Sequence, residues 1–206
     1  MPLISIEKIS DKARLGMWQM ESSPEELLEN NDCLKAYAQD VANYKSTTRK
    51  MEYLAERALL HALFPTDTPK ITHNEDGKPL LTNQHAISIS HTRGFVVIMT
   101  APEGRLGVDI EYRSDRVNKI ADKFIRKDEH ADTTEERLTI WSAKETTYKY
   151  FSEQNLEYYD MKTEPFTATE KGFLEMRNLK SGGSICVNFV ITSRYLLTFA
   201  SEEMKK

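Results

Sequence analysis

Two acidic residues stand two apart in Gly107-Val108-Asp109-Ile110-Glu111. They alternate with apolar Val108 and Ile110, so the segment reads as a strand with both carboxylates on one face. Neighbouring carboxylates repel, and each raises the other's pKa unless a cation lies between them. Hard oxygen donors of this kind suit Mg²⁺ or Mn²⁺. The plainer alternative is an acidic face on an edge strand, turned to water. Further on, Trp141, Glu145 and Lys149 follow one another every fourth residue. On a helix they share one face. A glutamate between a tryptophan and a lysine makes chemical sense if the glutamate reaches a metal ion and the lysine a phosphate. The alternative is a surface ion pair beside a half-buried tryptophan.

Four more residues have the right chemistry for an anion. Ser90 and His91 end an alternating apolar segment just before the turn Thr92-Arg93-Gly94, where both can donate to phosphate oxygens. Lys78 sits in the turn Gly77-Lys78-Pro79, and Arg49 lies near the start of a helical pattern. Taken singly, each also fits an ordinary strand end, turn or solvated helix surface.

The elements that must position these groups are legible from pattern. Leu3 to Met20 reads as strand around a turn at Ser10-Asp11-Lys12. Ser23-Pro24-Glu25-Glu26 is a capping box with proline in the first turn, opening a helix that runs on to Val41. A second helix spans about Thr47 to Phe64, with Met51, Leu54, Ala55, Ala58, Leu59 and Leu63 as its apolar stripe and Pro65 as its stop. Residues 65–85 read as turns. Ile87–His91 and Phe95–Ala101 form a β pair, and Leu106–Tyr112 is a further strand. Val117–Ile125 reads as a short helix. A long one covers Thr134 to Phe151, capped by Thr133 or Thr134. Strands follow at Phe166–Thr169, Ile185–Ile191 and Tyr195–Ala200, two of them joined by the turn Ser181-Gly182-Gly183. Helices and strands are segregated more than they alternate, which predicts an α+β fold. The break at Pro102-Glu103-Gly104 predicts two units of similar size, 1–104 and 105–206.

Composition narrows the function. The 206 residues carry 28 basic and 32 acidic side chains, a net charge of −4. That predicts no general attraction for nucleic acid or for an anionic membrane. The longest apolar run, Phe95 to Met99, is far shorter than a membrane-spanning helix. The first ten residues include Glu7 and Lys8 and hold no secretory apolar core. The two cysteines, Cys33 and Cys186, and the five histidines form no zinc pattern. A cytoplasmic protein with reduced thiols is expected.

Taken together and in order, these pieces resemble one family. Gly77-Lys78-Pro79, Ile87-Ser88-Ile89-Ser90-His91-Thr92, Gly107-Val108-Asp109-Ile110-Glu111 and Trp141-Ser142-Ala143-Lys144-Glu145-Thr146-Thr147-Tyr148-Lys149 span the middle of the chain. The last two match the signature G-[IV]-D-[IV]-E followed by W-[ST]-x-K-E-x-x-x-K of the 4′-phosphopantetheinyl transferases. Phe124 and Lys127-Asp128-Glu129 resemble the stretch between those motifs. The chain resembles the larger, pseudo-dimeric type that includes the enzyme activating surfactin synthetase.

The resemblance implies two similar α+β subdomains in a pseudo-twofold arrangement, with the active site at their junction. It implies transfer of the phosphopantetheine arm of coenzyme A to a serine of an acyl or peptidyl carrier protein, releasing adenosine 3′,5′-bisphosphate. Carried across residue by residue, Asp109, Glu111 and Glu145 match the Mg²⁺ carboxylates (Mn²⁺ being the substitute), and Lys149 matches the lysine near the phosphates. Ser90 and His91 match contacts to coenzyme A phosphates, Lys78 a lysine near the nucleotide, and Arg49 a basic residue at the 3′-phosphate. The serine needs a proton acceptor, and Glu145, Glu129 or a metal-bound water fits that role. One departure follows Phe151, where the family often has a glycine-rich turn and this chain has Ser152-Glu153-Gln154-Asn155. A monomer is expected, because pseudo-twofold halves hold the dimer interface within one chain.

Two other functions fit parts of the pattern. A Mg²⁺-dependent nuclease uses similar acids, but the residue two after Glu111 is Arg113 where such sites pair an acid with lysine. A module that only binds coenzyme A or a carrier protein would not need all three carboxylates and the lysine.

Overall fold

The structure, a computed structural model, describes residues 3–203. The chain divides into two compact units, Met1–Pro102 and Glu103–Lys206. Both combine helices with antiparallel sheet, so the fold class is α+β. No helix among the described residues is long and apolar enough to cross a membrane.

The first unit opens with strands β1 (Leu3–Lys8) and β2 (Arg14–Gln19). The Ser10 hydroxyl accepts the Ala13 amide at 3.0 Å and closes the turn between them. Next come α1 (Pro24–Glu29), a 3-10 segment (Asp32–Tyr37) and α2 (Ala38–Ala42). The capping box at Ser23 and Glu26 forms as expected. The helix does not run through to Val41, and the reason is local. The side-chain amides of Asn30 and Asn31 donate to the carbonyls of Glu26 and Leu27, at 2.8 and 2.7 Å. The Leu27 carbonyl is the one that the next backbone N–H of the helix, that of Asn31, would use.

Helix α3 (Thr47–Leu63) is capped by Ser46 and buries Met51, Leu54, Ala55, Leu59 and Leu63 against the sheet. A small hairpin, β3 (Ile71–His73) with β4 (Pro79–Leu81), occupies part of the stretch expected to be only turns. Pro79 starts its strand, where a missing N–H is tolerated. Strands β5 (Ala86–Thr92) and β6 (Phe95–Ala101) complete a four-stranded antiparallel sheet of order β1-β2-β6-β5.

The second unit begins with β7 (Leu106–Tyr112). The segment expected as a helix from Val117 to Ile125 is instead two 3-10 turns, Asp115–Lys119 and Ala121–Lys123. The Phe124 carbonyl is taken by the Lys144 ammonium at 2.6 Å, so it is engaged outside the segment. Helix α4 (Thr134–Tyr150) follows, with the Thr133–Glu136 capping box at its start. The chain then turns without glycine. Asn155 adopts the left-handed conformation, φ 46° and ψ 58°, which asparagine tolerates better than most residues.

Strands β8 (Met161–Thr163), β9 (Lys171–Asn178), β10 (Ser184–Ile191) and β11 (Tyr195–Ser201) finish the unit. The sheet is antiparallel, of order β7-β11-β10-β9-β8. Phe166–Thr169 is not a strand: Phe166 packs its ring against Phe189, and pairing starts only at Lys171. The alternation that defines β9 is Leu174, Met176 and Asn178 inward. The Ser181-Gly182-Gly183 turn therefore joins β9 to β10.

One contact sets the depth of α4 on this sheet. A Cβ placed on Gly107 would stand 2.2 Å from the Thr146 carbonyl oxygen. Only a residue without a side chain lets β7 lie that close to the helix. Gly107→Ala should therefore lower stability by at least about 2 kcal/mol, a loss of roughly 5 °C or more in Tm. Gly183→Ala, whose Cβ meets only the Ser181 hydroxyl at 3.6 Å, should change Tm little. Matching melts for the two variants would contradict this account.

Candidate active site

Strand β7 presents Asp109 and Glu111 to the same face of α4. Asp109 is only 4% exposed, so the pair is not an acidic surface turned to water. One Asp109 oxygen accepts the Ser142 hydroxyl at 2.9 Å. The other accepts the Lys149 ammonium at 2.8 Å, and that ammonium also donates to the Val108 carbonyl at 2.9 Å. Glu111 accepts the Trp141 indole N–H at 2.6 Å. Glu145 accepts the Tyr158 hydroxyl at 2.8 Å. Lys149 is thus the direct partner of Asp109, where helical spacing alone pointed to a pair with Glu145.

The electrostatics follow from crowding. Desolvation, then repulsion from Asp109 and Glu145, pushes Glu111 up to about 7, against partial relief from Trp141 and Lys149. Burial and Asp109 raise Glu145 as well, while its bonds to Tyr158 and the charge on Lys149 pull the other way. Tyr158 is held above its ordinary range by burial and by Glu145, so it remains a protonated donor. Three carboxylates therefore feel one another with a single lysine among them.

Among the described residues, no group of three or more histidine, cysteine, aspartate or glutamate side chains is arranged so as to hold a metal ion. The donor chemistry nonetheless fits a hard divalent cation. The set is all carboxylate oxygen, and burial, followed by repulsion from Asp109 and Glu145, keeps Glu111 partly protonated. A pocket of about 500 Å³ adjoins this cluster. Glu145 lines it with Lys123, Tyr148, Leu156, Tyr158, Tyr159 and Met161.

Glu129, expected among the proton acceptors, is occupied elsewhere. One of its oxygens accepts the Lys144 ammonium and the Arg126 amide, both at 2.8 Å. The other accepts the Thr163 amide at 2.7 Å and the Thr163 hydroxyl at 2.5 Å. The carboxylate is buried and fully used as a structural anchor. Sequence reasoning also passed over Lys144, Ser142 and Tyr158. The first two lie inside the tryptophan motif, where polarity at inward helical positions was the available signal. Tyr158 lies outside every motif and carried none.

In the first unit, Arg49 and His91 come together. Arg49 Nη1 stands 3.4 Å from His91 Nε2. Glu52 bridges them, 3.0 Å from Arg49 and 3.2 Å from His91 Nδ1. Arg57, not singled out by pattern, is nearly buried beside them. It donates to Glu56 at 2.7 Å and lies 3.5 Å from the centre of the Tyr53 ring. Burial raises Glu56, and the charges on Arg57, His91 and Arg49 lower it. Ser90 is buried one residue before His91 on β5. Lys78 lies on the β3–β4 hairpin, its backbone amide donating to Asn74 Oδ1 at 2.8 Å.

Residues 105–200 match the family model of the 4′-phosphopantetheinyl transferase superfamily. The chain is similar to the 4′-phosphopantetheinyl transferase AcpT of Salmonella typhi, with 30% identity over 122 residues. That alignment covers 53% of this chain and 62% of the relative. AcpT of Escherichia coli K12 is 32% identical over 114 residues, covering 49% of this chain and 57% of its own length. The chain thus spans about three fifths of the curated relatives it matches.

The charge crowding has a measurable consequence. Folding raises Glu111 from 4.5 to about 7, so within that window the unfolded chain has released a proton that the folded chain keeps. Stability attributable to Glu111 therefore falls as pH rises from about 4.5 to 7 and stays low above it. Glu111→Gln keeps an acceptor for Trp141 and removes the charge. In chelator-treated buffer it should melt higher than the wild type at pH 8, and the gap should close near pH 4.5. A gap independent of pH would refute the crowding.

Proposed function

We propose that the whole chain is a 4′-phosphopantetheinyl transferase of the larger, surfactin-synthetase-activating type. It transfers the phosphopantetheine arm of coenzyme A to a carrier-protein serine. The observation that carries this reading is the cluster of Asp109, Glu111, Glu145 and Lys149 beside the pocket lined by Glu145. The two units, each an antiparallel sheet with a 17-residue helix, support the larger type.

The serine oxygen forms a bond to the β-phosphorus of coenzyme A, and the bond from that phosphorus to the bridging oxygen breaks. Adenosine 3′,5′-bisphosphate leaves, and the serine proton passes to a base. Such a reaction needs positioning and charge compensation more than covalent help from the protein. Asp109, Glu111 and Glu145 would hold Mg²⁺ (or Mn²⁺), which when bound compensates charge on the pyrophosphate oxygens. Lys149 is assigned to the same phosphates. Glu145, which lines the pocket, is assigned as the proton acceptor. Glu129 is excluded from that role by its four donors.

The pocket beside Glu145 mixes aromatic, aliphatic and polar walls, which suits a flexible amide-bearing arm. Arg49 and His91, with Arg57 beside them, are assigned to the anionic nucleotide end, together with Ser90 and Lys78. Mg²⁺ dependence and these ligand roles are parts of the same proposal.

Incubation with coenzyme A, Mg²⁺ and an apo carrier protein should add one phosphopantetheine group to the carrier, read by intact mass. Glu145→Gln should lower kcat about a hundredfold or more with a modest change in coenzyme A affinity. Lys149→Met should weaken binding and slow turnover together. Unmodified carrier proteins across acyl and peptidyl types, or normal turnover in Glu145→Gln, would overturn the reading.

A second measurement tests the first unit. Coenzyme A should raise Tm more than dephospho-coenzyme A does, and Arg49→Ala should remove the difference. Equal shifts from both ligands in both proteins would exclude Arg49 from the 3′-phosphate.

A further inference from the structure

The Tyr158 hydroxyl donates to Glu145 at 2.8 Å, and Tyr158 belongs to none of the motifs that carry the family resemblance. Its own position is fixed from several sides. Its ring packs on Trp141, with centroids 5.2 Å apart and planes tilted by 34°. Its carbonyl accepts the Lys144 ammonium at 3.2 Å. Trp141 in turn donates its indole N–H to Glu111 at 2.6 Å. Two packed aromatic side chains thus each hold one carboxylate by a single directed bond. Both also pack on Phe124, with centroids 5.1 and 6.5 Å away.

We propose that Tyr158 is a positioning residue for Glu145. It fixes one carboxylate oxygen, so that the group meets the reacting hydroxyl and phosphate in one orientation. The proposal rests on the transferase reading given above. A glutamate at the end of three rotatable bonds samples many orientations, and restricting it before the substrate arrives removes that cost from the barrier. The tyrosine is suited to this because its ring is already held, and its hydroxyl adds one bond at a fixed place.

Tyr158→Phe keeps the ring, its packing and the backbone bond to Lys144, and deletes only the hydroxyl. It should lower kcat about tenfold, leave KM for coenzyme A within about twofold, and move Tm by no more than a degree or two. In a Glu145→Gln background the same change should have no further effect, since the group it positions is already disabled. That cycle is read by single-turnover intact mass of the carrier protein, with long incubation for the slow variants.

An unchanged kcat in Tyr158→Phe overturns the proposal. So does a fall in kcat accompanied by a matching fall in Tm, or an equal fall in both backgrounds, because either marks a role not exerted through Glu145. Absence of transfer by the wild-type protein is a different result: it overturns the proposed function, and the Tyr158 role with it.

Discussion

A lysine ammonium with no solvent exposure is costly unless its charge and its hydrogen atoms are matched, and Lys144 is such a group. Burial lowers its pKa, and Glu129 counters most directly. Its three bonds reach the Phe124 carbonyl, the Glu129 carboxylate and the Tyr158 carbonyl. Helix α4 is thereby tied to the irregular segment before it and the irregular segment after it. Glu129 extends the tie to β8 through Thr163. This buried pair is one of the contacts that fix where Tyr158 stands, and hence how Glu145 is held. Removing either partner strands a charge in the interior, which is far more damaging than never having had the pair.

The carboxylate cluster lives under the opposite condition, since its charges are not matched. Asp109 is braced by Ser142 and Lys149, and the buried hydroxyls of Ser142, Thr146 and Thr198 link α4 to β11 behind it. Glu111 and Glu145 each have one neutral donor, Trp141 and Tyr158. The fold keeps three acids near one another at a cost in stability. Such strain in a half-buried cluster beside a pocket is a mark of a working site. In the first unit, Glu52 bridges Arg49 and His91.

Much of this was legible in the chain of residues alone. The capping boxes at Ser23 and Thr133, the apolar stripe of α3 and the alternation of β7 are local signals, decided by neighbours a few residues away. So was the pairing of β5 with β6 across Arg93-Gly94. The misread elements failed for reasons outside their own sequence or through side chains that compete for backbone. Asn31 ends a helix by taking the Leu27 carbonyl. Strand β9 was missed because its inward residues, Leu174 and Met176, follow a stretch in which Phe166 supplies a misleading apolar start.

By itself the sequence determined which residues have the chemistry: the acids of Gly107–Glu111, and Glu145 and Lys149 one helical turn apart. It also carried the resemblance to the superfamily, because the two motifs and their order are one-dimensional facts. Tertiary structure alone decided who meets whom. It assigned Lys149 to Asp109, withdrew Glu129 into a buried ion pair, placed Glu52 between Arg49 and His91, and brought Tyr158 to Glu145. The physical reason is that a side chain's type is written in the chain, whereas its partners and its charge state depend on groups brought close by folding, which local periodicity does not encode.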